Sequence, residues 1–82
     1  NYIKKKLLEI VFSESRDTFS CPYGEVIKQT KFSVTIAVDI LENSLEKVMQ
    51  YVFQLGAIQD VNIYDPPMEE IIADIYTHKK SD

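Results

Sequence analysis

The chain has one cysteine, one histidine and no tryptophan in 82 residues. A lone Cys21 cannot form an internal disulfide, and it fits a reducing compartment. With only His78 beside it, there is no Cys/His cluster at zinc spacing. Glycine occurs twice, at Gly24 and Gly56, which excludes a glycine-rich loop that cradles phosphate. Basic residues are outnumbered nine to 13, for a net charge of −4. That balance argues against a nucleic-acid partner, because counterion release needs a basic surface. Lys4-Lys5-Lys6 is the one basic run, and it reads as a solvated face. No apolar run approaches the ~20 residues that span a bilayer, and no signal-peptide pattern is visible. An initiating Met is also missing, so the chain is expected to be a piece of a longer protein.

What is present is the composition of one small packed soluble domain: 45% hydrophobic and 27% charged residues. Residues 6–12 (KLLEIVF) read as a strand, with Leu8, Ile10 and Phe12 on one face and Leu7, Glu9 and Val11 on the other. Residues 13–24 (SESRDTFSCPYG) follow neither periodicity and form a loop, long for so small a domain. Such a loop is a place where an interaction surface could sit. Residues 25–30 read as a second strand. Residues 32–40 give the cleanest signal: Phe32, Val34, Ile36, Val38 and Ile40 alternate with Ser33, Thr35, Ala37 and Asp39. One face of that strand is therefore buried and the other open or lightly covered. The link at 29–31 predicts a tight hairpin, but lacks the Gly or Pro that would name its turn.

A helix is predicted from Asn43 or Ser44 to Leu55. Ser44 serves as N-cap, Glu46 complements the helix dipole, and Gly56 is a left-handed C-cap. Its apolar stripe is Leu45, Val48, Met49 and Val52. A strand over 58–64, with Val61 and Ile63 on one face, leads into a second helix over 66–78. Met68, Ile71, Ile72, Ile75 and Tyr76 form that helix's stripe. The order β-β-β-α-β-α predicts an α+β two-layer sandwich, with two helices on one face of a four-stranded, mostly antiparallel sheet. A ferredoxin-like variant is the expected fold, with a deviation where a loop replaces the helix between the first two strands.

Little chemistry is visible. Cys21 has only His78 as a possible base, and reads as an ordinary loop cysteine beside a solvated histidine. Glu69 and Glu70 are adjacent, so on a helix they point about 100° apart and form no dyad. Asp60 and Asp65 could join them around a cation only with regular ligand spacing and a turn glycine, and neither is present. Asp65-Pro66-Pro67 has a local account as a helix start. Asp65 caps the amide of Met68, and both prolines occupy positions whose amides would be unpaired anyway.

The order IQDVNIY, then DPPMEEII, then Ile75-Tyr76 resembles the C-terminal accessory domain of bacterial ABC-transporter ATP-binding subunits of the ABC-2 exporter type. That ending typically has an Ile/Val-x-Asp-Val/Ile-x-Ile strand, Asp/Glu-Pro-Pro/Ser, a hydrophobic residue, Glu-Glu/Asp and a short amphipathic helix. The match is close over about the last quarter of the chain, and residues 32–56 agree in pattern only. The resemblance implies that residues 1–82 are a single accessory domain without catalytic residues or cofactor. ATP and magnesium would belong to an ATPase module preceding Asn1. It implies a cytoplasmic, membrane-peripheral place, with the ATPase module, a second subunit copy and the transporter's membrane subunit as partners. The surface expected to make contact is Tyr64, Asp65, Pro66, Glu69 and Glu70. The alternative is a small-molecule-sensing regulatory domain with its ligand at a dimer interface. It lacks the glycine-rich turn after the first strand that such sites use.

Overall fold

The computed structural model describes residues 4–67. Their regular structure is four strands and one helix: β1 (Lys5–Phe12), β2 (Glu25–Gln29), β3 (Ser33–Asp39), α1 (Leu45–Leu55) and β4 (Ile58–Tyr64). The helix expected over 66–78 lies, beyond Pro67, outside the described residues. Over these residues the architecture is a small α+β domain with an antiparallel four-stranded sheet and one helix.

The strand order is β2-β3-β1-β4, with every neighbouring pair antiparallel. Because β3 and β4 both oppose β1, they run parallel to one another with β1 between them. The segment β3-α1-β4 is thus a split β-α-β unit, and β2 extends the sheet from β3 through a hairpin.

Register explains the core. Leu8 stands opposite Ile36 on one side and Ile63 on the other, and Ile10 opposite Val34 and Val61. Alternation along each strand keeps these residues on one face. Leu8, Ile10, Val34, Ile36 and Val38 are fully buried there, together with Val48 and Val52 of α1. Leu45 and Met49 complete the helix stripe as half-buried flanks of that cluster. The 3-4-3 spacing in the sequence therefore becomes the helix–sheet contact. Removing any one of these fully buried aliphatic side chains leaves a cavity, at a cost of about 2–5 kcal/mol for a Leu or Ile cut to Ala.

The termini of α1 also follow from the sequence. Ser44 is extended (φ −62°, ψ 149°), and its hydroxyl accepts the amide of Lys47 at 3.2 Å. Upstream, the Asp39 carboxylate accepts the amide of Leu41 at 3.0 Å, and the Asp39 carbonyl accepts those of Glu42 and Asn43. This hydrogen-bonded turn carries the chain from the sheet to the N-cap. At the other end Gly56 has φ +79° but an extended ψ of 174°, so it leaves the helix instead of completing a left-handed turn. Ala57 follows at φ +57°, a conformation that side chains disfavour.

Two further expectations need correction. Phe32 does not join the buried face of β3 and is half exposed (50%). The hydroxyl of Thr30 accepts the amide of Ser33 at 3.0 Å and meets its hydroxyl at 2.7 Å, which draws residues 30–33 into a hairpin turn. Phe32 rides on that turn, ahead of the strand. Ile63 shares the face of Val61 as expected, and it is 42% exposed because it lies on the edge strand near its end. The second face is not simply open: Leu7 and Thr35 are buried on it, at central-strand positions flanked across the sheet by Tyr64 and Ala37, and by Glu9 and Lys28. Cys21 lies in the loop as expected, and its side chain is part of the core, 8% exposed.

The long connection between β1 and β2 is tied down over most of its length. Phe19 and Tyr23 pack against the core, and Phe19 lies beside Phe12 with ring centroids 6.1 Å apart. Tyr23 meets the ring of Tyr51 edge-on at 5.8 Å, while the Tyr51 hydroxyl donates to the Ser20 carbonyl at 2.9 Å. Lys47 sits over the other aromatic of this pair, Tyr23, at 4.8 Å. Gly24 closes the loop where the chain passes within touching distance of β3. A Cβ there would stand 2.9 Å from the Ala37 carbonyl oxygen.

Candidate functional site

The end of β4 presents the first part of the expected contact surface. Tyr64 pairs with Leu7 of β1 and keeps 43% of its surface exposed. Asp65 is exposed, Pro66 half-buried and Pro67 exposed. Glu69 and Glu70 lie outside the described residues, as does the Asp65 cap on Met68. Tyr64, Asp65 and Pro66 are therefore brought together by adjacency at the strand's end, beside the start of β1.

Asp65 has a partner that local reasoning missed. Its carboxylate Oδ1 accepts a hydrogen bond from Lys6 Nζ at 2.5 Å, joining positions 59 apart in sequence. β1 and β4 are antiparallel neighbours, so the start of one lies beside the end of the other. The Lys6 hydrogen bond, then its charge, holds the Asp65 carboxyl below its ordinary value of 3.8; burial opposes weakly and Lys4 adds to the lowering. The lysine run is thus partly engaged: Lys6 holds the turn after β4, and the Lys4 carbonyl accepts the amide of Ile40. The exposed face of this corner offers an aromatic hydroxyl, a paired carboxylate and a proline ring.

A second constellation had only a faint trace in the sequence. Arg16, in the β1–β2 loop, donates from Nη2 to the Leu55 carbonyl at 3.0 Å and to that of Gly56 at 3.4 Å. These carbonyls end α1, whose last turn contains no basic residue. The guanidinium also lies over the Phe12 ring, 4.6 Å from its centroid, with Nε buried and unpartnered among the described residues. Ser13 adds a further tie, its amide donating to the Ala57 carbonyl at 2.8 Å. Arg16 therefore supplies the cation that the negative end of the helix favours. The available signal was a helix lacking a basic last turn in a chain whose loop holds one arginine.

Among the described residues no three His, Cys, Asp or Glu side chains come together as a metal site. No helix among them is long and apolar enough to cross a membrane. Compared with family models, curated proteins and solved structures, the chain has no match in any of the three.

Proposed function

We propose that this chain is a non-catalytic regulatory or interaction domain of the kind appended to the ATP-binding subunit of a bacterial ABC transporter. The observation that carries the reading is the motif order IQDVNIY-DPP-MEE, in which a strand ends and an acidic double-proline step follows. Its described part is an exposed corner, Tyr64-Asp65-Pro66, braced by Lys6 against the sheet. A braced corner holds its contact groups in one arrangement, which lowers the ordering cost of binding. The strand order and the split β-α-β unit support a ferredoxin-like variant, in which the loop of residues 13–24 stands where such folds place a helix.

In this reading the ATPase module of the same chain, a second copy of the subunit and the membrane subunit are the partners. ATP and magnesium belong to that module, at the inner face of the membrane. The sensor alternative gains nothing from Gly24, whose missing side chain is used by the close approach to Ala37 and Val38. The test is the coding sequence that precedes Asn1. A phosphate loop and an ABC signature are expected there, and any other module sinks the assignment. ATP turnover by the isolated 82-residue chain would count equally against it.

A further inference from the structure

Antiparallel sheets that end in an open strand carry a row of unpaired amides and carbonyls, ready to accept another strand. Among the described residues β2 and β4 are the two edges. β2 is short, its pairing with β3 shifts register between Val26 and Lys28, and Lys28 stands on it. These features blunt a pairing edge. β4 is longer, seven residues, and its register shift with β1 is confined to its beginning, opposite Val11 and Phe12. From Asp60 to Tyr64 it pairs regularly with β1, so its outer side there is a regular template.

One group interrupts that template. The backbone amide of Val61 donates to Oδ1 of Asp60, its own neighbour, at 3.0 Å, in an exposed setting. An amide spent on this carboxylate is turned away from β1, so Val61 is one of the residues whose N–H and C=O serve the outer side. Ile63, two residues on, shares that orientation. A second β4 could pair antiparallel about a two-fold axis at Asn62, matching Val61 with Ile63 in both directions. The match would cover Ile63, which is 42% exposed in the chain as it stands. Forming it would require the Val61 amide to leave Asp60 and would bring two Asp60 carboxylates to one short ladder.

We infer that Asp60 is an edge guard: by occupying the Val61 amide with a charged acceptor, it closes the outer side of β4 to a second copy of this chain. The inference does not rest on the transporter reading, and it assigns any subunit pairing to a surface other than this edge. The test compares the molar mass of wild-type chain, Asp60→Ala and Asp60→Ala/Ile63→Lys by light scattering over a concentration series, with circular dichroism confirming the fold of each. Asp60→Ala frees the amide and removes the charge, and should self-associate about tenfold or more tightly than wild type, equivalent to about 1.4 kcal/mol. Adding Ile63→Lys charges the strand that would pair, and should return the mass to the wild-type value. Asp60→Ala with wild-type mass overturns the inference. So does association that survives Ile63→Lys, because a different surface would then be responsible.

Discussion

Lys6 and Asp65 tie the beginning of β1 to the turn that follows β4, through a hydrogen-bonded ion pair 59 residues apart in sequence. The contact closes one corner of the sheet and orients the Asp-Pro-Pro step. Asp65 is largely exposed, so solvent screens the pair and its worth lies in position more than in stability. Its carboxyl titrates below the ordinary 3.8 because of Lys6. A carboxyl lowered by folding adds stability above its unfolded value, and loses it as pH falls through the folded value. The contribution is therefore complete at neutral pH and disappears only below about pH 4. In Lys6→Met the carbon-13 titration of the Asp65 carboxyl should move up toward the ordinary value. An unchanged titration would show that Lys6 does not hold the turn.

Arg16 closes the opposite corner. Replacing it with Ala removes the donor to the Leu55 and Gly56 carbonyls together with the stacking on Phe12. A loss of about 1–3 kcal/mol is expected from a charged hydrogen bond and a part-buried cation–π contact. Lysine keeps the charge but neither the planar fork nor the stacking, so Arg16→Lys should recover only part. Urea unfolding measures the loss. Faster hydrogen exchange at the Ser13 and Gly56 amides would locate it at the helix end, and equal exchange in wild type and variant would refute the capping role.

What could be read from the residues and what could not divides by distance along the chain. The Val34-Ile36-Val38 alternation, the Leu45-Val48-Met49-Val52 stripe and the Ser44 cap are local patterns, and each found its expected place. Phe32 failed because alternation alone does not show where a turn ends; the Thr30 hydroxyl decided it. The surroundings of Cys21, Arg16 and Lys6 were hidden for another reason. Their partners lie on other elements, and only the strand order brings them near. At the candidate surface, adjacency made Tyr64-Asp65-Pro66 visible, while the brace on Asp65 needed the β1–β4 pairing.

Cys21 belongs to the cluster of Phe12, Val48 and Val52, and that placement has a chemical consequence. A buried thiol reacts only when the loop opens, so native chain should modify slowly with an aromatic disulfide reagent and quickly in denaturant. Cys21→Ser places a hydroxyl among apolar neighbours and should cost about 1–3 kcal/mol. Reaction of the native chain at the rate of a free thiol would mean that the β1–β2 loop is not docked.

The two glycines should respond to alanine for different reasons. At Gly24 a new Cβ meets the Ala37 carbonyl oxygen at 2.9 Å and a Val38 methyl at 3.0 Å, so backbone must shift in a sheet held on both sides. Crowding of that kind costs about 1–3 kcal/mol. At Gly56 nothing lies within 4 Å of the new atom, and the penalty comes from holding alanine at φ +79°. That penalty is about 1–3 kcal/mol, because φ +79° with an extended ψ is a region open essentially to glycine alone, and it is local to the helix end. The variants separate in a combined experiment with Val38→Ala, which removes the methyl facing Gly24. Relief should appear as non-additive unfolding energies for Gly24→Ala with Val38→Ala, whereas Gly56→Ala should add independently. Strict additivity in both pairs would show that Gly24 is not retained for its approach to the Val38 side chain, leaving the Ala37 carbonyl as the sole contact that excludes a side chain there.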